Sequence, residues 1–176
     1  PHSIEAFAAE RQSLGATLTS ETLQSRSLKV PLHPALILAV SSCFAFGLRR
    51  LVPYPLGLPS HPLRVLQSAS LLGALALLGW CFWTYHRRRT SPEYGHEVRE
   101  LLTSGPYRFS RNPLFIANTL LFVTLVLELN NVWALTLLPF HVLALYRLVV
   151  RREERFLTSR FGDSYVEYCR RVRRWF

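Results

Sequence analysis

The chain has 176 residues, enough for one domain, and 49% of them are hydrophobic and gathered in long blocks, which excludes an ordinary soluble composition. Its 21 Lys+Arg outweigh 11 Asp+Glu, and every one of those cations except Lys29 is an arginine. They flank the apolar blocks instead of forming a basic domain, which points to membrane topology and lipid head groups and away from nucleic acid.

Residues 1–30 are polar, carry Glu5, Glu10 and Glu21, and contain no apolar core of signal-peptide length. They are expected to form a soluble N-terminal arm with a short helix capped by Ser20, ahead of a membrane domain over residues 31–176. No methionine occurs, so the sequence is expected to begin downstream of its initiator.

Four apolar blocks follow, at 34–48, 63–85, 113–129 and 132–150. A bilayer core takes about 20 residues of helix, and the blocks predict transmembrane helices over about 32–50, 63–86, 113–129 and 131–155. The fold class is therefore an all-α integral membrane bundle. Asn130-Asn131 alone joins the last two blocks, which makes them a C-terminal helical hairpin. Only Arg49, Arg50 and Arg64 would fall on one side of such a bundle, leaving 18 of the 21 cations on the other. That asymmetry puts the termini and the loop from His86 to Asn112 on the cytoplasmic or equivalent side. Gly73 and Gly79, with Ala74 and Ala76, permit close helix contact in the second span. Glu128 reads as interfacial. His141, in the middle of the fourth block beside Pro139, is either functional or hydrogen-bonded to a carbonyl that the proline frees.

Cys43, Cys81 and Cys169 lack CxxC spacing and the six histidines lack HxxH or HxxxH pairs, so neither a disulfide framework nor a metal site is indicated. Two polar segments remain. The loop holds a stop-transfer cluster at Arg87, Arg88 and Arg89, then a Gly105-Pro106 turn, Arg108 and Arg111 at helical spacing, and Pro113 placed to open a helix. After the fourth block come Glu153 and Glu154, with Arg147, Arg151, Glu154 and Arg155 spaced to share a helix face as salt bridges. Gly162 ends that helix and Asp163 or Ser164 caps a last one. The arginines at 170, 171, 173 and 174, with Trp175, read as a lipid head-group anchor.

The string GPYRFSRNPLF, two spans, and RREERFLTSRFGDSYVEYCRRVRRW together resemble the C-terminal half of the isoprenylcysteine carboxyl methyltransferase and phospholipid methyltransferase superfamily, over about residues 101–176. The resemblance implies methyl transfer from S-adenosylmethionine to a lipid-like or prenyl-thioether acceptor that enters from the bilayer. It also implies a cofactor pocket that loop and tail form together on the cytoplasmic side. Carried over residue by residue, the cofactor would be held by Gly105, Tyr107, Arg108, Arg111, Asn112, Pro113, Glu153, Glu154, Tyr165 and Tyr168. Arg108 or Arg111 would meet its carboxylate, and Glu153 or Glu154 its ribose or ammonium. Tyr107, Phe115, Tyr165 and Tyr168 would offer ring faces. Asn112 stands where relatives commonly have His, and Phe115 where they have Tyr. Those departures raise the alternative of a non-catalytic subunit in a larger membrane complex. A protonated amine acceptor would need a base, for which the sequence offers only His96 or a glutamate; a carboxylate or thiolate would need none. Expected partners are membrane lipids, the lipophilic acceptor and other membrane subunits.

Overall fold

The computed structural model describes residues 33–88 and 101–175, all within the second of the two units into which the chain divides, Leu32–Phe176. The N-terminal arm with Ser20, and the loop positions Arg89 and His96, lie outside the described residues. Among these residues all regular structure is helical, apart from an isolated bridge between Pro55 and Asn131.

Helix α1 spans Pro34–Leu51, opened by Pro34 at its first turn and by the His33 ring, which accepts from the Ala35 amide at 3.4 Å. Helix α2 spans Ser60–Arg88, 29 residues. A 3-10 turn over Gly105–Arg108 leads into α3, Pro113–Leu129. Helix α4, Val132–Leu145, runs through a π segment at Tyr146–Val150 into α5, Arg151–Phe161. Helix α6 closes the order at Asp163–Arg171.

Among the described residues three stretches are long and apolar enough to cross a membrane: Pro34–Leu51, Ser60–Arg87 and Val132–Phe161. Helix α3 is apolar but has 17 residues, short of that measure. Leu72, Trp83, Val40 and Phe140 are among many large side chains left exposed on these rods. In water such surface would drive aggregation, whereas in lipid it is the correct outer face of a membrane protein.

Helix α3 is the hub, packing on α2, α1 and α4, while α1 and α2 hardly touch each other. The close approach of α2 has a local cause. Ala74 is fully buried, Gly73 leaves room for a Leu120 methyl 3.7 Å from where a Cβ would stand, and the Ser70 hydroxyl donates to the Leu120 carbonyl at 2.9 Å. Gly79 and Ala76 do not share this role: nothing lies within 4 Å of a Cβ at Gly79, and Ala76 is exposed. Gln67 donates to Glu128 at 2.6 Å, which gives that carboxylate a structural partner.

The α3–α4 turn follows from its two asparagines. Asn130 takes the left-handed conformation (φ 42°) that asparagine tolerates, and Asn131 caps α4 by accepting from the Trp133 amide at 2.9 Å. The α1–α2 connection reaches the same turn, with Leu56 N–H donating to the Asn130 carbonyl and Val132 N–H to that of Tyr54, both at 3.0 Å. Inside the bundle, His141 is bonded to side chains and not to a carbonyl freed by Pro139. It contacts Ser41 Oγ at 3.0 Å and Asn118 Oδ1 at 3.1 Å, and stacks on Phe122. Asn118 in turn donates to the Pro34 carbonyl at 3.0 Å, so one polar chain joins α1, α3 and α4.

Candidate functional site

Helix order alone brings the C-terminus of α2, the Gly105–Arg108 turn, the N-terminus of α3, and α5 with α6 to one end of the bundle. The turn sits against α2 because Gly105 permits it. Its φ is +62°, and a Cβ there would stand 2.5 Å from the Thr84 Oγ1, so only glycine meets both demands without a shift. Tyr107 meets Tyr85 hydroxyl to hydroxyl at 2.6 Å, and its carbonyl accepts from Tyr168 at 2.8 Å. Burial above all pushes the Tyr107, Tyr165 and Tyr168 phenols upward from the ordinary tyrosine value, so all three stay neutral.

Between turn and helix, Ser110 and Asn112 are buried, at 2% and 4% exposure. The Ser110 hydroxyl and Asn112 Nδ2 both donate to the carbonyl of Arg174, at 3.0 and 3.3 Å, and Arg111 N–H donates to that of Arg173 at 3.0 Å. Asn112 thus spends its amide on the tail and not on capping α3, which Pro113 opens. The Arg174 guanidinium forks onto Glu154 at 2.8 and 2.9 Å and lies over the Tyr146 ring. Arg111 adds a second cation 3.6 Å from the same carboxylate and donates to Cys169 Sγ at 2.9 Å, while its Nε is buried with no acceptor. Glu154 therefore serves neither the expected helix-face salt bridges, since its partners come from the turn and the tail, nor a solvent face. Glu153, one position earlier, is half-buried, and its charge is felt at Tyr107 and Tyr168.

Tyr107, Arg111, Glu153, Glu154, Tyr165 and Tyr168 lie near one another, through the Tyr168–Tyr107 bond, the Arg111–Glu154 approach and the influence of these charges on the three phenols. Gly105 borders a cavity of about 510 Å³ with Trp80, Trp83, Thr84, Arg87 and Ser104. Arg108 and Tyr168 border another of about 660 Å³, with Thr103, Ser164, Glu167, Arg171 and Val172. Arg111, Asn112 and Glu154 form the polar junction on the tail. Pro113 and Tyr165 are buried. Phe115, expected to show a ring face, is instead 2% exposed in the apolar cluster of Ile37, Leu145, Val149 and Val150, with Trp175 against it. A hydroxyl would have no use there. Helix α6 has no side-chain cap from Asp163 or Ser164; Gly162, at φ 50°, both ends α5 and starts α6.

Nothing in the sequence singles out Ser110, Tyr146, Tyr85 or Arg174 for the site. Arg174 reads as a membrane-surface residue because it sits in an arginine run beside tryptophan, and nothing local distinguishes it from its neighbours.

The family model described as phospholipid methyltransferase matches residues 63–164, which takes in the turn, α3 to α5 and both glutamates but not α1 or the tail. The cobalt-zinc-cadmium resistance protein CzcN of Cupriavidus metallidurans is 31% identical over 115 residues, 64% of this chain and 49% of the relative. The nickel-cobalt-cadmium resistance protein NccN of Alcaligenes xylosoxydans is 29% identical over 82 residues, 47% of this chain and 38% of that one. An uncharacterized Haemophilus influenzae protein is 32% identical over 62 residues, 35% of this chain and 98% of its own length. The chain thus spans half or less of the length of the two named resistance proteins. No solved structure is a significant match.

Proposed function

The chain belongs to the phospholipid methyltransferase family, and from that premise we propose that it transfers a methyl group from S-adenosylmethionine to a lipid-like or prenyl-thioether acceptor at the membrane. The observation that carries the reading is the convergence of the Ser110–Asn112 segment and Glu154 at one end of the bundle, where they hold a cation and a carbonyl oxygen 2.8–3.3 Å away. The ligand's methionine end offers the same pair of chemistries. The buried Arg111 Nε without an acceptor adds a donor that a carboxylate would satisfy. On these grounds the residues present fit the cofactor.

In this reading Arg111 and Asn112 hold the carboxylate, and Glu153 and Glu154 take the ammonium or the ribose hydroxyls. Tyr107, Tyr165 and Tyr168 wall the site with neutral phenols. Gly105 keeps the turn close to α2, Pro113 fixes the start of α3, and Arg108 guides anionic groups toward the junction. When bound, the cofactor supplies an electrophilic methyl on a sulfonium that departs neutral, so the protein's task is alignment and water exclusion. The cavity lined by Trp80 and Trp83, both exposed on α2, offers apolar walls for a lipophilic acceptor. Four spans with the cation-rich end cytoplasmic complete the proposal, α3 crossing as the shortest.

A second reading, a non-catalytic membrane subunit, draws on the fork of Arg174 onto both oxygens of Glu154. The names of two relatives would set such a subunit in metal resistance. Titrating purified protein in detergent with S-adenosylhomocysteine separates the two. Binding supports the enzyme, and a cooperatively melting protein that binds none would sink it.

A further inference from the structure

Arg174 meets the polar junction in three ways at once. Its guanidinium forks onto Glu154, the same group lies 5.4 Å from the Tyr146 ring centre, and its carbonyl accepts from Ser110 and Asn112. A cation on a carboxylate and an aromatic face, with a carbonyl oxygen on a hydroxyl and an amide, is the pattern an amino-acid end would present. We infer, resting on the reading above, that Arg174 fills the subsite for the amino-acid end of the ligand, and that residues 172–175 must move before that end can bind.

Burial makes the occupancy exclusive. The Glu154 side chain is 15% exposed, Ser110 2% and Asn112 4%, so solvent has little access and an arriving group must replace Arg174. The exchange is balanced in charge: an ammonium replaces a guanidinium at Glu154, and the Arg111 Nε, now without an acceptor, gains the carboxylate. The tail need not leave altogether. Val172 adopts an extended conformation directly after α6, and the Trp175 ring packs on the Ile37, Phe115 and Leu145 cluster, so a swing of Arg174 about these two points frees the subsite.

The test uses the full chain in detergent and two readouts. Arg174→Gln keeps most of the stem but removes the competing charge, and should bind S-adenosylhomocysteine about tenfold more tightly, the effect of losing one charge-assisted contact that opposes the ligand. In the parent protein, adding S-adenosylhomocysteine should speed amide hydrogen exchange in residues 172–175. Should Arg174→Gln fold poorly, Arg174→Lys, which keeps a cation but cannot fork, should give a smaller tightening. Weaker or equal binding by the variants, or slower tail exchange on adding the ligand, overturns the inference and leaves the methyltransferase reading standing. No binding by parent or variants, with all of them melting cooperatively, overturns both.

Discussion

The Tyr168 hydroxyl donates to the Tyr107 carbonyl at 2.8 Å, and this one bond ties α6 to the turn 61 residues earlier. Tyr168 is buried and Tyr107 half-buried, so losing the donor leaves the carbonyl poorly placed to exchange it for water. Tyr168→Phe should cost about 1 kcal/mol of stability, read as a lower melting temperature in detergent. An unchanged melt would mean the carbonyl finds another donor.

The same shielding gives a pH dependence. Tyr107, Tyr165 and Tyr168 have folded values raised above the ordinary 10.0, mainly by burial, so their contribution to stability is complete below that pH and is lost as pH climbs through the raised values. Melting temperature should be flat in this respect from neutral pH to about pH 10 and fall beyond it. Tyr165→Phe, which cannot ionise, should soften the fall.

Gly105→Ala should destabilise by about 1–3 kcal/mol, because the new Cβ combines a left-handed backbone with a clash on Thr84 Oγ1 at 2.5 Å. Adding Thr84→Ala should return the steric part and leave the backbone part. Full recovery in the double variant would show that φ +62° carries no cost here.

Glu154→Gln should lower stability by about 1–2 kcal/mol, between the values for exposed and buried pairs, since Glu154 is 15% and Arg174 37% exposed. A surface position would show almost nothing. Differential scanning of Glu154→Gln against the parent protein tests this, and an unchanged melt would refute it.

Cysteine substitutions at Asn130 and Arg108 should be labelled from opposite sides of sealed vesicles, because the two residues lie at opposite ends of α3 and its flanking turn. Labelling from one side would remove the fourth span from the proposed topology.

Where chemistry is local, the sequence could be read. Pro113 opens α3, Asn130-Asn131 makes the turn, and Gly162 stops α5, each for a reason contained within a few residues. Length misled at the ends: α2 starts at Ser60 and not 63, and the last rod runs to Phe161 and not 155, because polar residues extend a helix past its apolar block without breaking it. The site suffered more. Phe115 looked like a ring face because it is aromatic next to the motif, yet its exposure is decided by α1, α4 and Trp175. The Glu154–Arg174 pair spans 20 residues, and five arginines between the two positions could have served as well on charge alone.

The sparse contact between α1 and α2 bears on how the protein is made. Chain leaves the ribosome N-terminus first, so α1 and α2 emerge ahead of the rest of the described bundle, and these two helices have little to say to each other. Each finds its neighbour only when α3 arrives, α2 through Ser70, Gly73 and Ala74, and α1 through the Pro34 carbonyl and Asn118. Until then Ser41 and Gln67 lack their later partners on α4 and α3. In a nascent chain halted before residue 113, α1 and α2 should therefore be independent of each other and laterally mobile, open to whatever insertase or chaperone tends them, and their assembly should be sealed by the arrival of the α3–α4 pair.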